Sequence, residues 1–181
     1  DLRALAGLTW DWPLMTGNSS IGAYYPALWR EHGWLAPGDR APRLPAVEGP
    51  GVVLAGSCAD RSIEQLRAFE RERPVHWIDV ERAIDGVDVI GEALDWALAA
   101  LPQGPVAIAT SAHAPVIERV QARIGRHEAA ALAEDILGRL AVRLRDAGVK
   151  RFVISGGETS GSVLAHLAID RLQVGPYAGP G

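Results

Sequence analysis

From Gly51 onward, short unbroken apolar runs alternate with stretches whose apolar residues recur every three or four positions. "GVVLAG" (51–56) is β-branched and closes on glycine, the pattern of a buried strand. "DRSIEQLRAFERE" (60–72) places Ile63, Leu66 and Phe69 at helical spacing, with Asp60 as its cap. "PVHWIDV" (74–80) predicts a second strand, and "DVIGEALDWALAAL" (88–101) a helix with Val89, Ala93, Leu94, Ala97 and Leu101 on one side. "PVAIATS" (105–111) predicts a third strand, and "PVIERVQARI" (115–124) a short helix opened by proline. The clearest helix follows: Leu132, Ile136, Leu140 and Leu144 lie four apart, and Gly148 supplies the stop. "RFVIS" (151–155) predicts a fourth strand, "ETSGSVLAHLAI" (158–169) a helix, and "RLQVG" (171–175) a short last strand.

Upstream, the proline- and glycine-rich stretch 36–51 reads as a loop, and "WPLMTG" (12–17) with "SSIGAYYPALWREHG" as a further strand–helix pair, despite Pro26. Strands apolar throughout, alternating with helices, predict an α/β fold: a three-layer α/β/α sandwich with a mainly parallel sheet. In such sheets ligands sit at the carboxyl ends of strands, beside helix N-termini.

Composition narrows the function. At 181 residues, 48% hydrophobic and 22% charged, the chain can build a full core without staples. Its net charge of −4 gives no reason to expect nucleic acid as a partner. Cys58 is the single cysteine, so no internal disulfide forms and a reducing, cytoplasmic setting is expected. No stretch approaches the ~18 unbroken apolar residues of a membrane span. Trp10, Trp12, Trp29 and Trp34 crowd the first 34 residues with Tyr24 and Tyr25. They form either a docking surface or a local core, and helical spacing in "PALWREHGWL" favours the core.

Three of the expected strands end in small polar residues: "TGNSS" (16–20), "AGSCAD" (55–60) and "SGGETSG" (155–161). Glycine lets a ligand approach the backbone, and a helix's first turn offers unpaired N–H groups suited to phosphate. Ser57, Thr159 and Ser160 add hydroxyls, while Glu158 is placed to bind a ribose, to act on magnesium, or to cap its helix. The bland alternative is a tight turn capped by Thr159 or Ser160. Neither standard glycine motif is present. Lys150 precedes the glycines, and glycines at 156, 157 and 161 do not spell G-x-G-x-x-G. Cys58 with His113 as base would make a thiol hydrolase, against the simpler reading of a small residue at a turn. The five histidines, His32, His76, His113, His127 and His166, show no ligand spacing, so no metal centre is expected.

The segment from "IGRHEAAALAEDILGRLAVRLRDAGVKRFVISGGETSGSVLAHLAI" through "LQVGP", with "VVLAGSCAD" and "TGNSS" before it, resembles the nucleotide-binding domain of the four-carbon acid sugar kinases. These are the 3-oxo-tetronate, D-threonate and D-erythronate kinases. The resemblance implies ATP-dependent phosphorylation of a sugar-acid hydroxyl, with Mg2+ as cofactor. It carries ATP contacts onto Ser57, Gly156, Gly157, Glu158 and Thr159, and by the same motif onto Ser160 and Gly161. It further implies that residues 1–181 are the nucleotide half of a two-domain kinase: an N-terminal segment (1–35), the loop (36–51) and the main body (52–181). The family's N-terminal substrate domain, with its "DDLTGA"-like motif, and a C-terminal stretch with a further nucleotide glycine are missing from this sequence. The catalytic base is expected in that missing domain, so this half is expected not to turn over alone. "GNSS" replaces the family's "GGSG", and "GPYAGPG" lacks the acidic residue common before the final Pro-Gly. Two other readings stay open: a noncatalytic module that binds a nucleotide or phosphate, and the Cys58 hydrolase.

Overall fold

The structure is a computed structural model that describes residues 1–17, 19–36, 44–56, 59–110 and 114–176. The chain divides into two compact units, Asp1–Pro45 with Gln173–Gly181, and Ala46–Leu172.

Among its described residues the first unit holds three short helices: α1 (Leu2–Thr9), α2 (Ser19–Gly22) and α3 (Tyr25–Glu31). Asp1 caps α1 by accepting from the Arg3 amide at 3.1 Å. The Thr9 hydroxyl donates to the Leu5 carbonyl and lies 2.7 Å from the Tyr25 hydroxyl, joining α1 to α3. Trp29 Nε1 donates to the Trp10 carbonyl, and the Trp10 ring stacks on His32 at 3.6 Å. These aromatics thus pack on one another, although Trp12 and Trp34 remain 57% and 58% exposed. Residues 12–17 form no strand, and neither do residues 171–176. The apolar residues that suggested them, Leu14, Leu172 and Val174, are exposed and have no neighbouring strand to pair with.

The second unit carries β1 (Gly51–Ala55), α4 (Asp60–Glu70), β2 (Val75–Trp77), α5 (Val80–Ile84), α6 (Val89–Ala100), β3 (Val106–Ala109), α7 (Ala114–Ile124), α8 (Arg126–Asp146), β4 (Arg151–Ser155) and α9 (Gly157–His166). β2 is shorter than its apolar run because Asp79 turns the chain: its carboxylate accepts from the Glu81 amide at 3.0 Å and starts α5. The strands lie in the order β2-β3-β1-β4, all parallel, with β1 central.

Alternation along the strands fixes the layers. Val52, Leu54, Val106 and Ile108 point to one face, where α6, α8 and α9 bury Leu94, Ile136, Leu137, Leu140, Leu144 and Val163 against them. Ala55, Ala107 and Ala109 point to the other face, covered by Leu66 and Phe69 of α4. The result is an α/β fold with a parallel sheet between helical layers, as the sequence pattern predicts. Gly138 lets α9 sit close on α8, since a Cβ there would strike the imidazole of His166.

Candidate functional site

Parallel strands place all their carboxyl ends on one edge, and the chain leaves that edge in two directions. The segment after β1 runs to α4 on one face of the sheet; those after β3 and β4 run to α7, α8 and α9 on the other. β1 is therefore flanked by strands whose connections diverge from its own. This topological switch point is where open α/β sheets form their ligand crevice. A cleft of about 850 Å3 lies there, within the usual size range of ligand pockets.

One side of the cleft is the start of α9. Ala55 of β1 is in register with Ser155 of β4, so Gly56 and Gly156 leave the sheet side by side. Gly156 has φ +108°, a conformation that side chains rarely adopt, and among the described residues no side chain caps the helix that follows. The first amides of α9 thus lack an intrahelical or capping acceptor. Gly56, Gly156, Gly157, Glu158 and Thr159 all line the cleft. Thr159 is buried, and a Cβ on Gly56 would collide with its hydroxyl, so Gly56 permits the contact between β1 and α9. A Cβ on Gly157 would meet nothing within 4 Å.

Ser160 and Gly161 do not line the cleft. The Ser160 hydroxyl donates to the Gly156 carbonyl at 2.7 Å, which stiffens the turn from behind. Ser57, Cys58 and His113 lie outside the described residues, and with them the thiol reading. "TGNSS" belongs to the first unit and follows no strand, so only two of the three small-residue junctions close strands.

The remaining walls come from residues that glycine spacing did not single out. Thr110 stands at the end of β3, Ile78 and Val80 follow β2, Val116, Ile117, Val120 and Gln121 belong to α7, and Arg126, His127 and Glu134 to α8. One signal for Thr110 was available: a hydroxyl ending the apolar run "PVAIAT" on the predicted ligand edge.

Away from the cleft, His166 lies between Asp135 and Ser162 but forms no nucleophile relay. Its Nδ1 sits 2.9 Å from the Ser162 carbonyl and its Nε2 3.2 Å from Asp135, while the Ser162 hydroxyl donates to the Glu134 carbonyl at 3.1 Å. The serine proton is aimed at the main chain, and the group ties α9 to α8. Among the described residues no three His, Cys, Asp or Glu side chains gather as metal ligands, and no helix is long and apolar enough to cross a membrane.

Comparison with known proteins agrees with this geometry. Residues 52–181 match the model of the nucleotide-binding C-terminal domain family. The chain is 41% identical over 182 residues to a 3-oxo-tetronate kinase of Pseudomonas fluorescens, covering 100% of this chain and 42% of that protein. It is 38% identical over 181 residues to the same-named protein of Burkholderia multivorans, again covering 100% and 42%. A crystal structure of a Haemophilus influenzae protein superposes with a TM-score of 0.66 at 30% identity, over 92% of this chain and 40% of that one. The chain therefore spans about 42% of the length of these curated relatives. Its diverging crevice, its glycine-opened α9 and the match over residues 52–181 lead to one assignment: the chain belongs to the nucleotide-binding C-terminal domain family.

Proposed function

We propose that this chain holds ATP for a kinase that phosphorylates a hydroxyl of a four-carbon sugar acid, as the names of its relatives suggest. The observation that carries the reading is the uncapped start of α9, open to the cleft at Gly157 and set beside Gly56. Amides aimed at one point, with a helix dipole behind them, are a phosphate site when a ligand-sized cleft adjoins them.

In this reading the amides of Gly157, Glu158 and Thr159 hold the phosphate oxygens. Ser57, from the neighbouring strand end, contacts the nucleotide from the other side. Ser160 supports the turn through its bond to the Gly156 carbonyl, and Gly161 follows it in the motif. Arg126 at the start of α8 lines the same cleft and offers a guanidinium to the phosphates. Phosphoryl transfer asks a protein mainly for positioning and for charge stabilisation, and these groups supply both.

Two carboxylates line the cleft, Glu134 and Glu158. This fits Mg2+, which takes one or two carboxylates together with substrate phosphates rather than an all-protein cage. When bound, the ion would neutralise charge on the phosphates.

We place the sugar acid and the general base on a second, N-terminal domain, making this chain the nucleotide half of a two-domain cytoplasmic kinase. Closure of that domain would exclude water from the cleft. Calorimetric titration of the full chain with ATP and Mg2+ tests the nucleotide site: one-to-one binding is expected, displaced by inorganic tripolyphosphate. A folded chain that binds neither ligand overturns the reading. Adding the second domain should then yield ADP in the presence of a four-carbon sugar acid.

A further inference from the structure

Thr110 ends β3 at the crevice, and its position is fixed: its amide donates to the Ala55 carbonyl of β1 at 3.1 Å. The residue is only 5% exposed, yet its hydroxyl has no hydrogen-bond partner among the described residues. Leaving a buried hydroxyl unpaired forfeits its hydration with nothing in return. Buried polar groups are paired in the great majority of proteins, and an exception calls for a partner that arrives later. The strand alternation turns Thr110 to the α8 side of the sheet, the same side as Leu54 and Ile108, and there it lines the cleft.

Its surroundings decide what that partner is. Ile78 and Val80 after β2 and Val116, Ile117 and Val120 of α7 line the cleft with it, a mostly apolar wall that also carries Gln121. A phosphate would lose its hydration against such a wall with no cationic group among these residues of β2's exit and α7 in exchange. A purine suits it, because its flat faces are apolar and its polar atoms lie on the edge. A threonine hydroxyl can donate to or accept from that edge. β3 and β4 lie on opposite sides of β1, so their ends are about 10 Å apart at ~4.8 Å per strand spacing. The ribose and α-phosphate of a nucleotide bridge a gap of that order.

We propose that the Thr110 end of the cleft is the nucleobase pocket and that the Thr110 hydroxyl hydrogen-bonds the edge of the adenine ring. The assignment rests on the reading of α9 as the phosphate site and extends it to the other end of the ligand. In the apo chain Thr110→Val keeps the shape and removes the unpaired hydroxyl, so its Tm should match or exceed the wild type.

The full chain and its Thr110→Val and Thr110→Ser variants are titrated with ATP and with inorganic tripolyphosphate, both with Mg2+. Thr110→Val should weaken ATP about three- to tenfold, the worth of one neutral hydrogen bond. Tripolyphosphate affinity should not change, and Thr110→Ser should stay near the wild type for both ligands. ATP affinity unaltered in Thr110→Val overturns the inference, as does an equal loss for both ligands, which would put the hydroxyl at the phosphates. In either case wild-type binding of both ligands leaves the phosphate site standing. A wild-type chain that binds neither overturns the phosphate site and, with it, the role of Thr110.

Discussion

Replacing Gly157 by alanine separates the stability of the site from its ligand affinity. Gly157 is the first residue of α9, is exposed, and does not adopt a positive φ. An added Cβ would meet nothing within 4 Å, so the fold has no steric objection to it. Alanine is the better helix former by up to about 1 kcal/mol, less at a helix end. The Tm should therefore stay level or rise by at most about 4 °C, the shift that 1 kcal/mol gives a domain of this size. Ligand binding should behave in the opposite way. If a phosphate oxygen rests on the Gly157 backbone, a methyl group there pushes it beyond hydrogen-bond reach of one amide. A bond to a charged group is worth about 1.5–3 kcal/mol, so ATP affinity should fall between about tenfold and a hundredfold. Calorimetry with ATP and Mg2+ measures the loss directly, and the ligand-dependent rise in Tm should shrink with it. Gly7→Ala, in α1 with nothing within 4 Å of its Cβ, controls for the generic effect of alanine in a helix. A Gly157→Ala chain that is folded and binds ATP as tightly as the wild type refutes the phosphate site at α9.

Three further outcomes follow from the packing. Gly138→Ala should destabilise the chain, because its Cβ would drive the His166 ring from the Ser162 carbonyl; adding His166→Ala should recover part of the loss, with a coupling of about 1–3 kcal/mol in urea denaturation. Leu140→Ala removes a fully buried side chain of α8 and should cost about 2–5 kcal/mol by the same assay. Burial holds the half-buried His76 imidazole below its ordinary value of 6.5, Arg82 adding to the effect and Glu92 opposing it. Just below pH 6.5 the unfolded chain therefore binds a proton that the folded one refuses, stability falls as pH drops through that window, and His76→Phe should flatten the fall in denaturation midpoints.

Periodicity exposed the second unit almost whole. Apolar runs such as "GVVLA" and "VAIA" and the four-residue spacing of Ile136, Leu140 and Leu144 report burial directly, whereas "RFVIS" forms an edge strand with Val153 exposed. The same reasoning failed at 12–17 and 171–175, because an apolar residue becomes part of a strand only when another strand is there to pair with it. It also ran β2 past Asp79, whose capping carboxylate outweighs the apolar neighbours. For the candidate site, Gly156 marked the corner because its positive φ is a backbone requirement. Thr110 stayed hidden, because its meaning depends on an unpaired hydroxyl and on side chains from β2's exit and α7, which are remote in sequence.

The placement of cations says what kind of phosphate site the proposed one would be. Lys150, the only lysine, precedes β4 and its amide donates to the Pro50 carbonyl at 3.3 Å, which puts it at the amino edge of the sheet. Arg151 stays there too, its Nε donating to the Gly49 carbonyl at 3.0 Å. The strand Arg151–Ser155 separates them from the cleft, about 16 Å at ~3.3 Å per residue, so neither can serve as a phosphate-loop lysine does. Arg119 and Arg123 of α7 are paired with Glu81 of α5 and with Asp85, which follows that helix. Among the described arginines, Arg126 is the one that lines the cleft. In the proposed site, phosphate would be held chiefly by main-chain amides, with one guanidinium and a metal ion sharing the remaining charge. Such a site depends on backbone shape more than on any single side-chain charge, which is why glycine, and not lysine, is its signature in this sequence.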